Sequence, residues 1–548
     1  MQINSKSQSS YFYLIIVSIF YLSGCTSGQL SNVESGNEAQ ILHIGNGTEP
    51  QDLDPHIVTG VTEHNILISL IEGLVSKHPE NLSPEPGVAS SWDISDDGKI
   101  YTFQLRDNAK WSNGDQVTAY DFVFSWKRAL TPDLGNQYAY ILYPIENAEQ
   151  YNKGKITDFN EVGIHALDDK TLEIRLNHST PYFLGILDHY STFPVHKPTI
   201  EKFGDISTRG SEWTRAGNFV GNGPFTLKEW QQNKIIIVER NPNYWDADQV
   251  ALDEIHFHPV DQINTEERLF RTGQLHITNS IPPEKIDTYL NDSPELIKIH
   301  PYLGTYFYRF NTTIEPLNNA KVRRALAMAI DRKLIVEKIT KGGQTPAYTL
   351  TPPNTLGYTS TSAIQYDTNR ARELLAEAGF PDGENFPELQ LLFNTLDTHR
   401  LIAEAIQQMW KKELNINITL YNQEWKVYLD SGRTMNYQIS RAAWIGDYVD
   451  PNTFLDMFVS NGGNNRTGWS NAEYDNYIAM AALASDIETR YQYFQQAEKI
   501  LNEEVPIIPI YTYSRVFLKS PAVQGWYPNL LDHHPYKYVY LEQVNTDN

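Results

Sequence analysis

From about residue 40 onwards, this chain of 548 residues alternates between strand-like and helix-like stretches. Residues Ile100–Leu105 alternate apolar and polar side chains, which is typical of a half-buried strand. Thr118 then precedes an apolar run that ends at Trp126, and a threonine at this place predicts the start of a helix. Alternation of this kind predicts α/β domains, and the length is sufficient for two or three of them.

Further elements are predicted in the second half of the chain. A helix over 321–341 should end at Gly342 and Gly343, because glycine readily ends a helix. The remaining predictions are helices over 369–378, 399–414 and 485–504 and strands over 416–421 and 506–511.

The composition and the charge limit the classes of partner. Hydrophobic residues make up 41% of the chain and charged residues 20%, which is typical of a soluble globular protein. The formal net charge of −23 argues against nucleic acid and against anionic membrane surfaces, because both would repel it. The 33 Tyr and 11 Trp residues suit a ligand cavity, although such residues also build large cores.

The chain has one cysteine, Cys25, which excludes an internal disulfide and a CxxC site. Lys6 and an apolar run over 11–22 precede it, and the run suits the core of a signal peptide. The sequence Leu22-Ser23-Gly24-Cys25 resembles the lipobox of bacterial lipoproteins. That resemblance implies a signal peptide over 1–24, cleavage before Cys25 and lipid on its sulfur. A plain signal peptide with a chance cysteine is the alternative.

Residues 25–39 are rich in Ser, Gly and Asn, which predicts a flexible tether. No later segment contains eighteen consecutive apolar residues, so no other membrane span is predicted. We therefore expect a protein of the periplasm or cell envelope that contacts the membrane through a lipid anchor. Thr26 leaves the choice between inner and outer membrane open.

Common catalytic signatures are absent from the sequence, including G-x-S-x-G, H-E-x-x-H and the P-loop. The histidines of 256–258 and 533–534 have no partner at ligand spacing, so neither a metal nor a cofactor is predicted. Carboxylate pairs of glycosidases can be far apart in sequence, so an extracytoplasmic hydrolase remains an alternative.

An ordered series of short segments covers the chain from about residue 40 onwards. It comprises Leu53-Asp54-Pro55-His56, Glu72-Gly73-Leu74, 86–89, Ser91-Trp92, 101–106, 109–114, 117–122, 222–225, 241–245 and 322–325. Together these segments resemble the family 5 solute-binding proteins, the oligopeptide and dipeptide binders of ABC importers.

The resemblance implies an α/β periplasmic-binding-protein fold of type II, in the three-domain peptide-binder class. Two lobes would be joined by two strand crossovers and would close like a hinge over a cleft between them. The implied domains are a discontinuous sheet domain over 40–72, 198–303 and 515–548, an inserted domain over 73–197, and a second lobe over 304–514.

The resemblance also implies a ligand site. Asp447 would pair with the α-ammonium of a peptide, and Arg441 and His399 would meet its carboxylate. The other implied contacts come from the backbone of Gly60 and Val61, from the side chains of Tyr138, Asn279, Trp425 and Trp444, and from the small residue Ala443, which would admit a second backbone. Without the resemblance, Asp447 would be interpreted as a solvated loop acid and Arg441 as half of an ion pair.

The chain departs from the family pattern at several pocket positions. Thr59 and Arg309 stand where the family's best-studied member has an acid, and Gly432, next to Arg433, stands where that member has a pocket arginine. Thr340 replaces a lysine that is used for longer ligands, with Lys338 and Lys341 close by. The loss of acids predicts a preference for acidic or neutral ligand side chains.

The resemblance predicts a non-enzymatic, monomeric binding protein that captures short peptides and delivers them to the permease of an ABC importer. A murein peptide, a metal complex, haem, an oligosaccharide or another solute remains an alternative, as does a sensor or chaperone role. Asp447 favours a ligand with a free amine, which a murein tripeptide also has.

Overall fold

The computed structural model describes residues 30–484 and 486–543, so the predicted signal peptide and Cys25 lie outside the described residues. The fold is mixed α/β. The strands, in chain order, are β1 (Ile41–Gly45), β2 (Val75–Lys77), β3 (Pro84–Pro86), β4 (Ala89–Ile94), β5 (Ile100–Leu105), β6 (Ile164–Ala166), β7 (Thr171–Arg175), β8 (Phe225–Gln231), β9 (Ile235–Arg240), β10 (Glu254–His258), β11 (Ile297–Phe310), β12 (Thr345–Pro346), β13 (Leu389–Asn394), β14 (Ile418–Gln423), β15 (Ile439–Ile445), β16 (Ile507–Leu518), β17 (Val523–Gln524) and β18 (Tyr540–Leu541).

The α-helices pack against the faces of these sheets and between them. In chain order they are α1 (Asn32–Ala39), α2 (Val61–Leu70), α3 (Ala119–Leu130), α4 (Ala148–Asn152), α5 (Phe183–Ile186), α6 (Lys197–Phe203), α7 (Ile263–Arg271), α8 (Pro283–Asp292), α9 (Ala320–Met328), α10 (Arg332–Leu334), α11 (Thr368–Glu377), α12 (Asp397–Leu414), α13 (Trp425–Arg433), α14 (Asn452–Leu455), α15 (Ala472–Leu483) and α16 (Ile487–Glu504). In the part of the chain that the structure describes, none of them has both the length and the apolar character needed to cross a bilayer.

Three sheets hold most of the strands. Their strand orders are β1-β10-β9-β8, β4-β5-β7-β6 and β12-β16-β11-β15-β13-β14. The first sheet is assembled from discontinuous pieces of chain on either side of the second, and the third follows both in sequence. This arrangement gives two lobes, one containing the first two sheets and one built on the third. The residue boundaries predicted for the domains remain a prediction.

Two adjacent strands, β11 and β16, connect the lobes. The first five residues of β11 pair with the last five of β16, and its second half pairs with the first half of β16. The register shifts between Pro301 and Thr305. Just beyond β16, Lys519 bridges to Ile277, which in turn bridges to Ile44 in the first sheet. An irregular ladder between two regular stretches gives the crossover a place where it can bend.

The predicted flexible tether is wrong for residues 32–39, which form α1. The Ser31 hydroxyl accepts a hydrogen bond from the Glu34 N–H at 3.2 Å, and the Glu34 carboxylate accepts one from the Ser31 N–H at 2.8 Å. This reciprocal capping box stabilises a helix start in a stretch with few apolar residues. The helix lies so close to the sheet that a Cβ at Gly36 would be 2.5 Å from the Ile41 carbonyl oxygen.

The single helix predicted over 321–341 is also wrong. The chain forms α9, leaves the helical conformation, and resumes as α10 followed by a π-helical turn over Ile335–Thr340. Asp331 has an extended backbone, and its carboxylate caps the second piece by accepting the Leu334 N–H at 3.0 Å. The Arg332 guanidinium then donates to the Pro509 carbonyl at 2.7 Å. A tertiary contact to β16 therefore fixes the break, although the helical pattern continues through it.

The other predicted elements are confirmed, with shifts at their ends. Thr118 begins α3, and the Asp121 carboxylate accepts its N–H at 2.8 Å. The remaining predictions correspond to β5, α11, α12, β14, α16 and β16. Strand β14 begins two residues later than predicted, and β16 extends beyond the predicted end to Leu518.

A buried ion pair ties α3 to the loop after β1. The Arg128 guanidinium donates to both carboxylate oxygens of Asp54, at 2.8 and 2.6 Å. His56 lies against the same guanidinium, at 3.0 Å. Both charged side chains are essentially inaccessible to solvent, at 0% and 1% exposure. Two charges can be buried in this way only when each satisfies the other, so the pair is a fixed point of the fold.

Candidate ligand-binding cleft

A cavity of about 450 Å³ lies between the two lobes. Its volume is within the range of small-molecule and peptide pockets. All ten predicted site residues line it: Gly60, Val61, Tyr138, Asn279, His399, Trp425, Arg441, Ala443, Trp444 and Asp447. The structure thus brings together residues that are up to 387 positions apart in the sequence. Their roles towards a ligand remain predictions.

Asp447 follows the end of β15 and is almost buried, with 9% of its side chain exposed. Its Oδ1 lies 3.3 Å from the Nε2 of His189, and its N–H donates to the Thr453 hydroxyl at 3.0 Å. Within the described residues, His189 is the only basic side chain within 4.0 Å of the carboxylate. A carboxylate in such a position is suited to receive a cation from a ligand.

Two titratable groups close to Asp447 have raised pKa values. Burial, followed by the charge of Asp447, raises the pKa of the Tyr138 hydroxyl well above its usual range. The same two causes raise the pKa of the Asp456 carboxyl well above its usual range. Both shifts favour the protonated, uncharged forms of these two groups.

Arg441 is a buried cation that has no acidic partner among the described residues. Its guanidinium donates to the Asn394 side-chain oxygen at 3.3 Å and to the Tyr513 hydroxyl at 3.0 Å. It lies over the Tyr306 ring, 4.8 Å from the ring centre. Across the described range, no carboxylate comes within 4.0 Å of it, and its Nε has no acceptor. Burial, followed by Arg441, lowers the pKa of the neighbouring His399 well below its usual range, so that imidazole is neutral.

The strand that carries Arg441 has an incompletely paired edge. Towards β11, residues 439–445 of β15 pair throughout. Towards β13, only Ile439 and Ser440 pair. Further along the strand, after Arg441, Ala442 and Ala443 are small and line the cavity. A second extended backbone can therefore approach this edge of β15 and form main-chain hydrogen bonds with it.

Aromatic side chains from both lobes form the walls. The rings of Tyr138 and Trp444 lie 6.0 Å apart across the cleft. Trp425 stacks on Tyr428 with 5.7 Å between ring centres. Within the described structure, neither indole N–H has an acceptor. Such rings supply a large contact area with little loss of conformational entropy.

On the opposite wall, the protein backbone comes close to the cavity at Gly60, which precedes α2. A Cβ at this position would lie 2.0 Å from the Glu63 carboxylate and 3.2 Å from the Trp425 ring. The Glu63 carboxyl accepts the Gln51 N–H at 2.6 Å from behind this wall. Burial raises the pKa of Glu63 to about 7. Glu266, which accepts the Asn279 N–H at 2.7 Å, has its pKa raised to about 7 for the same reason.

These buried carboxyl groups predict a pH dependence of stability. Above about pH 4.5 the unfolded chain loses the Glu63 proton, whereas the folded protein keeps it up to about pH 7. The contribution of Glu63 to the free energy of unfolding is therefore complete below pH 4.5 and is lost as the pH rises through 7. We expect Glu63→Gln to remove a decline of about 3 kcal/mol in the free energy of unfolding between pH 4.5 and 8. Urea unfolding at several pH values measures it. The exposed variant Glu80→Gln is the control, and an unchanged slope in Glu63→Gln would refute the assignment.

Some residues of the cleft were missed by sequence reasoning. His189, which contacts Asp447, and Arg466, which lines the cavity, lie in irregular segments without periodicity or a motif. Their neighbours in sequence gave no signal, because only the tertiary fold brings them to the cleft. Arg433, noted beside the departure at Gly432, instead lies on the surface, where it pairs with Asp430 at 2.5 Å.

A ligand-sized cleft between two lobes joined by two adjacent strands is the architecture of hinged solute-binding proteins. The family model of the bacterial extracellular solute-binding proteins, family 5, matches residues 83–466. The chain belongs to this family, and it is a binding protein rather than an enzyme. The periplasmic oligopeptide-binding protein OppA of Salmonella typhimurium is 37% identical, over 93% of this chain and 94% of its own length.

Solved structures share the fold. OppA of Haemophilus influenzae in complex with RPPGFSPFR gives a TM-score of 0.88 at 35% identity, over 92% of this chain and 99% of that one. The Escherichia coli murein tripeptide-binding protein MppA gives 0.87 at 36% identity, over 92% and 99%. The unliganded open form of MppA gives only 0.61, at 37% identity over 92% and 98%. The two MppA structures have similar identity to this chain and similar coverage of it, so the lower TM-score of the open form indicates that the two lobes of this protein are closed.

Proposed function

We propose that this protein captures short peptides in an extended conformation, with the free amino end of the peptide held by Asp447. The observation that carries the proposal is the pair of unmatched charges in one closed cleft. Asp447 has no Lys or Arg partner, and Arg441 has no acidic partner, among the described residues. A zwitterionic ligand neutralises both, and burying such charges is favourable only when they are paired.

The spacing of the two charges suits an extended ligand. Residues 441 and 447 are six positions apart, which corresponds to at most about 20 Å of extended chain. The open edge of β15 lies between them and offers main-chain hydrogen bonds that every peptide can make, whatever its side chains. Affinity drawn from the backbone and from the charged ends explains how one cleft can accept many sequences.

The family supports a further part of the proposal, which is delivery of the captured peptide to the permease of an ABC importer. Closure around the ligand presents the permease with a shape that differs from the open form. We propose that the protein works in the periplasm or cell envelope as a monomer, held to the membrane by lipid on Cys25.

A murein peptide is the second candidate ligand. The relative MppA is named as a murein peptide-binding protein and is 38% identical, over 93% of this chain. Asp447 does not separate the two candidates, because a murein tripeptide also carries a free amine. A hydrolytic function has much less support, because the family consists of binding proteins.

Mass spectrometry of ligands that co-purify with the protein tests the proposal. We expect short peptides with free amino termini, together with binding of trialanine in calorimetry after the ligands have been removed. Trialanine should remain intact on prolonged incubation. Exclusive recovery of murein peptides would favour the second candidate, and cleavage of trialanine would overturn the binding-only function.

A further inference from the structure

We propose that Arg309 and Arg466 together form a subsite in the cleft that binds a carboxylate of the ligand, separate from the place of Arg441. This inference rests on the proposed function and specifies which peptides the cleft prefers. Both arginines line the cavity. No family resemblance singled out Arg466, and the structure alone places it beside Arg309.

Arg309 lies on β11 and is buried, with 7% of its surface exposed. Its guanidinium lies over the Tyr437 ring, 5.2 Å from the ring centre, and its Nε has no acceptor among the described residues. Over the described range, no carboxylate lies within 4.0 Å of it. A buried guanidinium that lies over an aromatic face and has no hydrogen-bond acceptor for its Nε in the described structure keeps N–H donors available for a ligand.

Arg466 lies in the loop before α15 and is partly buried. Its guanidinium donates to the Gln137 side-chain oxygen from the other lobe and, at 3.3 Å, to that of Asn464. Its Nε is likewise without an acceptor, and no carboxylate of the described residues pairs with it. Burial, followed by the charge of Arg309, lowers the pKa of Arg466 to about 10.

Gly432 brings the two guanidinium groups together. A Cβ at this position would lie 2.6 Å from an Nη of Arg309 and 3.7 Å from an Nη of Arg466. A larger residue would therefore displace Arg309. The glycine at position 432, where a pocket arginine is expected, therefore leaves the space that the Arg309 side chain occupies. The two departures from the family pattern depend on each other.

Two like charges side by side in a partly desolvated pocket are unfavourable until an anion joins them. A carboxylate accepts from two guanidinium groups at once through its two oxygens. The acidic side chain of a bound peptide and the carboxyl terminus of a bound peptide share this chemistry. Because Arg441 already offers a cation for the terminus, the side chain is the source we expect.

The test uses the full chain, freed of bound ligand, and calorimetry with trialanine and its derivatives. Glu or Gln is placed at each of the three positions, and each peptide is prepared as a free acid and as a C-terminal amide. At one position we expect Glu to bind about 10- to 100-fold more tightly than Gln, since a charge-assisted hydrogen bond replaces a neutral one. Arg309→Gln and Arg466→Gln should each reduce that ratio severalfold.

Arg433→Gln is the matched control. This arginine is adjacent to Gly432 in sequence but lies on the surface in an ion pair with Asp430, so its removal should leave the Glu-to-Gln ratio unchanged. Arg466 also contacts Gln137, and loss of that contact would weaken the binding of the Glu and the Gln peptide equally. A change in the Glu-to-Gln affinity ratio therefore reports on the subsite and not on this structural contact.

The outcomes separate the subsite from the proposed function. If the two variants change only the ratio of the affinities for the free acid and the C-terminal amide, the subsite binds the carboxyl terminus of the peptide and not an acidic side chain. If they change neither ratio while trialanine binds, the subsite is wrong and the proposed function stands. If none of the peptides binds the wild-type chain, the proposed function and the subsite both fail.

Discussion

Replacing Asp447 with asparagine is expected to weaken the binding of trialanine by about 30-fold to a few thousand-fold, corresponding to about 2–5 kcal/mol. The substitution keeps the shape of the side chain and removes its charge. The ligand ammonium would then enter a closed, largely desolvated pocket without the carboxylate that is available to it in the wild-type protein, next to His189. Most of the loss should appear as faster dissociation, because removal of a buried partner changes the off-rate more than the on-rate. Calorimetry and stopped-flow fluorescence measure these quantities.

A double cycle with N-acetyl-trialanine distinguishes loss of the ion pair from general damage. Acetylation removes the ligand charge, so the wild-type protein should bind this peptide much more weakly than the free one. The asparagine variant should bind the two peptides with nearly equal affinity, since the interaction is already lost. Asp430→Asn, at an exposed acid outside the cavity, is the matched control. Equal affinity of the wild-type protein for free and acetylated peptide would show that Asp447 does not bind the amino end.

The second large effect concerns stability. Asp54→Ala should lower the free energy of unfolding by about 3–5 kcal/mol, because it leaves the Arg128 guanidinium charged, buried and without its carboxylate. The pKa of Asp54 is lowered: burial alone would raise it, but the charge of Arg128 and its hydrogen bonds outweigh burial. The stabilisation by this pair is therefore present above the pKa of an unfolded aspartate and is lost as the pH falls through the folded pKa. Urea unfolding followed by tryptophan fluorescence measures the change.

The double variant Asp54→Ala with Arg128→Met tests the mechanism. If the cost comes from an unpaired buried charge, removing that charge should recover part of the lost stability. Asp430→Ala breaks a solvent-exposed pair with Arg433, with side chains 62% and 53% exposed, and should cost at most about 1 kcal/mol. A double variant that is less stable than Asp54→Ala alone would mean that the packing of Arg128, and not its charge, supports the fold.

Local sequence patterns determined much of the fold. The alternation at Ile100–Leu105 and the threonine before α3 each specify an element through contacts within a few residues, and these elements were predicted correctly. The break within 321–341 was missed because it depends on Asp331 as a cap and on the bond from Arg332 to the Pro509 carbonyl. That bond joins residues that are 177 positions apart, and helical periodicity contains no information about it.

For the ligand cleft, too, some properties could be predicted from the sequence and others required the tertiary structure. The single cysteine, the absence of catalytic motifs and the ordered segments that resemble the family are properties of the sequence alone, and they predicted a binding protein and ten residues of its cavity. Only the tertiary structure decided which charges are unmatched. Among the described residues, no Lys or Arg lies within 4.0 Å of the Asp447 carboxylate and no carboxylate lies within 4.0 Å of the Arg441 guanidinium, although burial keeps water from both. The closeness of Arg309 and Arg466 is likewise a consequence of packing at Gly432, since electrostatic pairing depends on distance in space and not on separation along the chain.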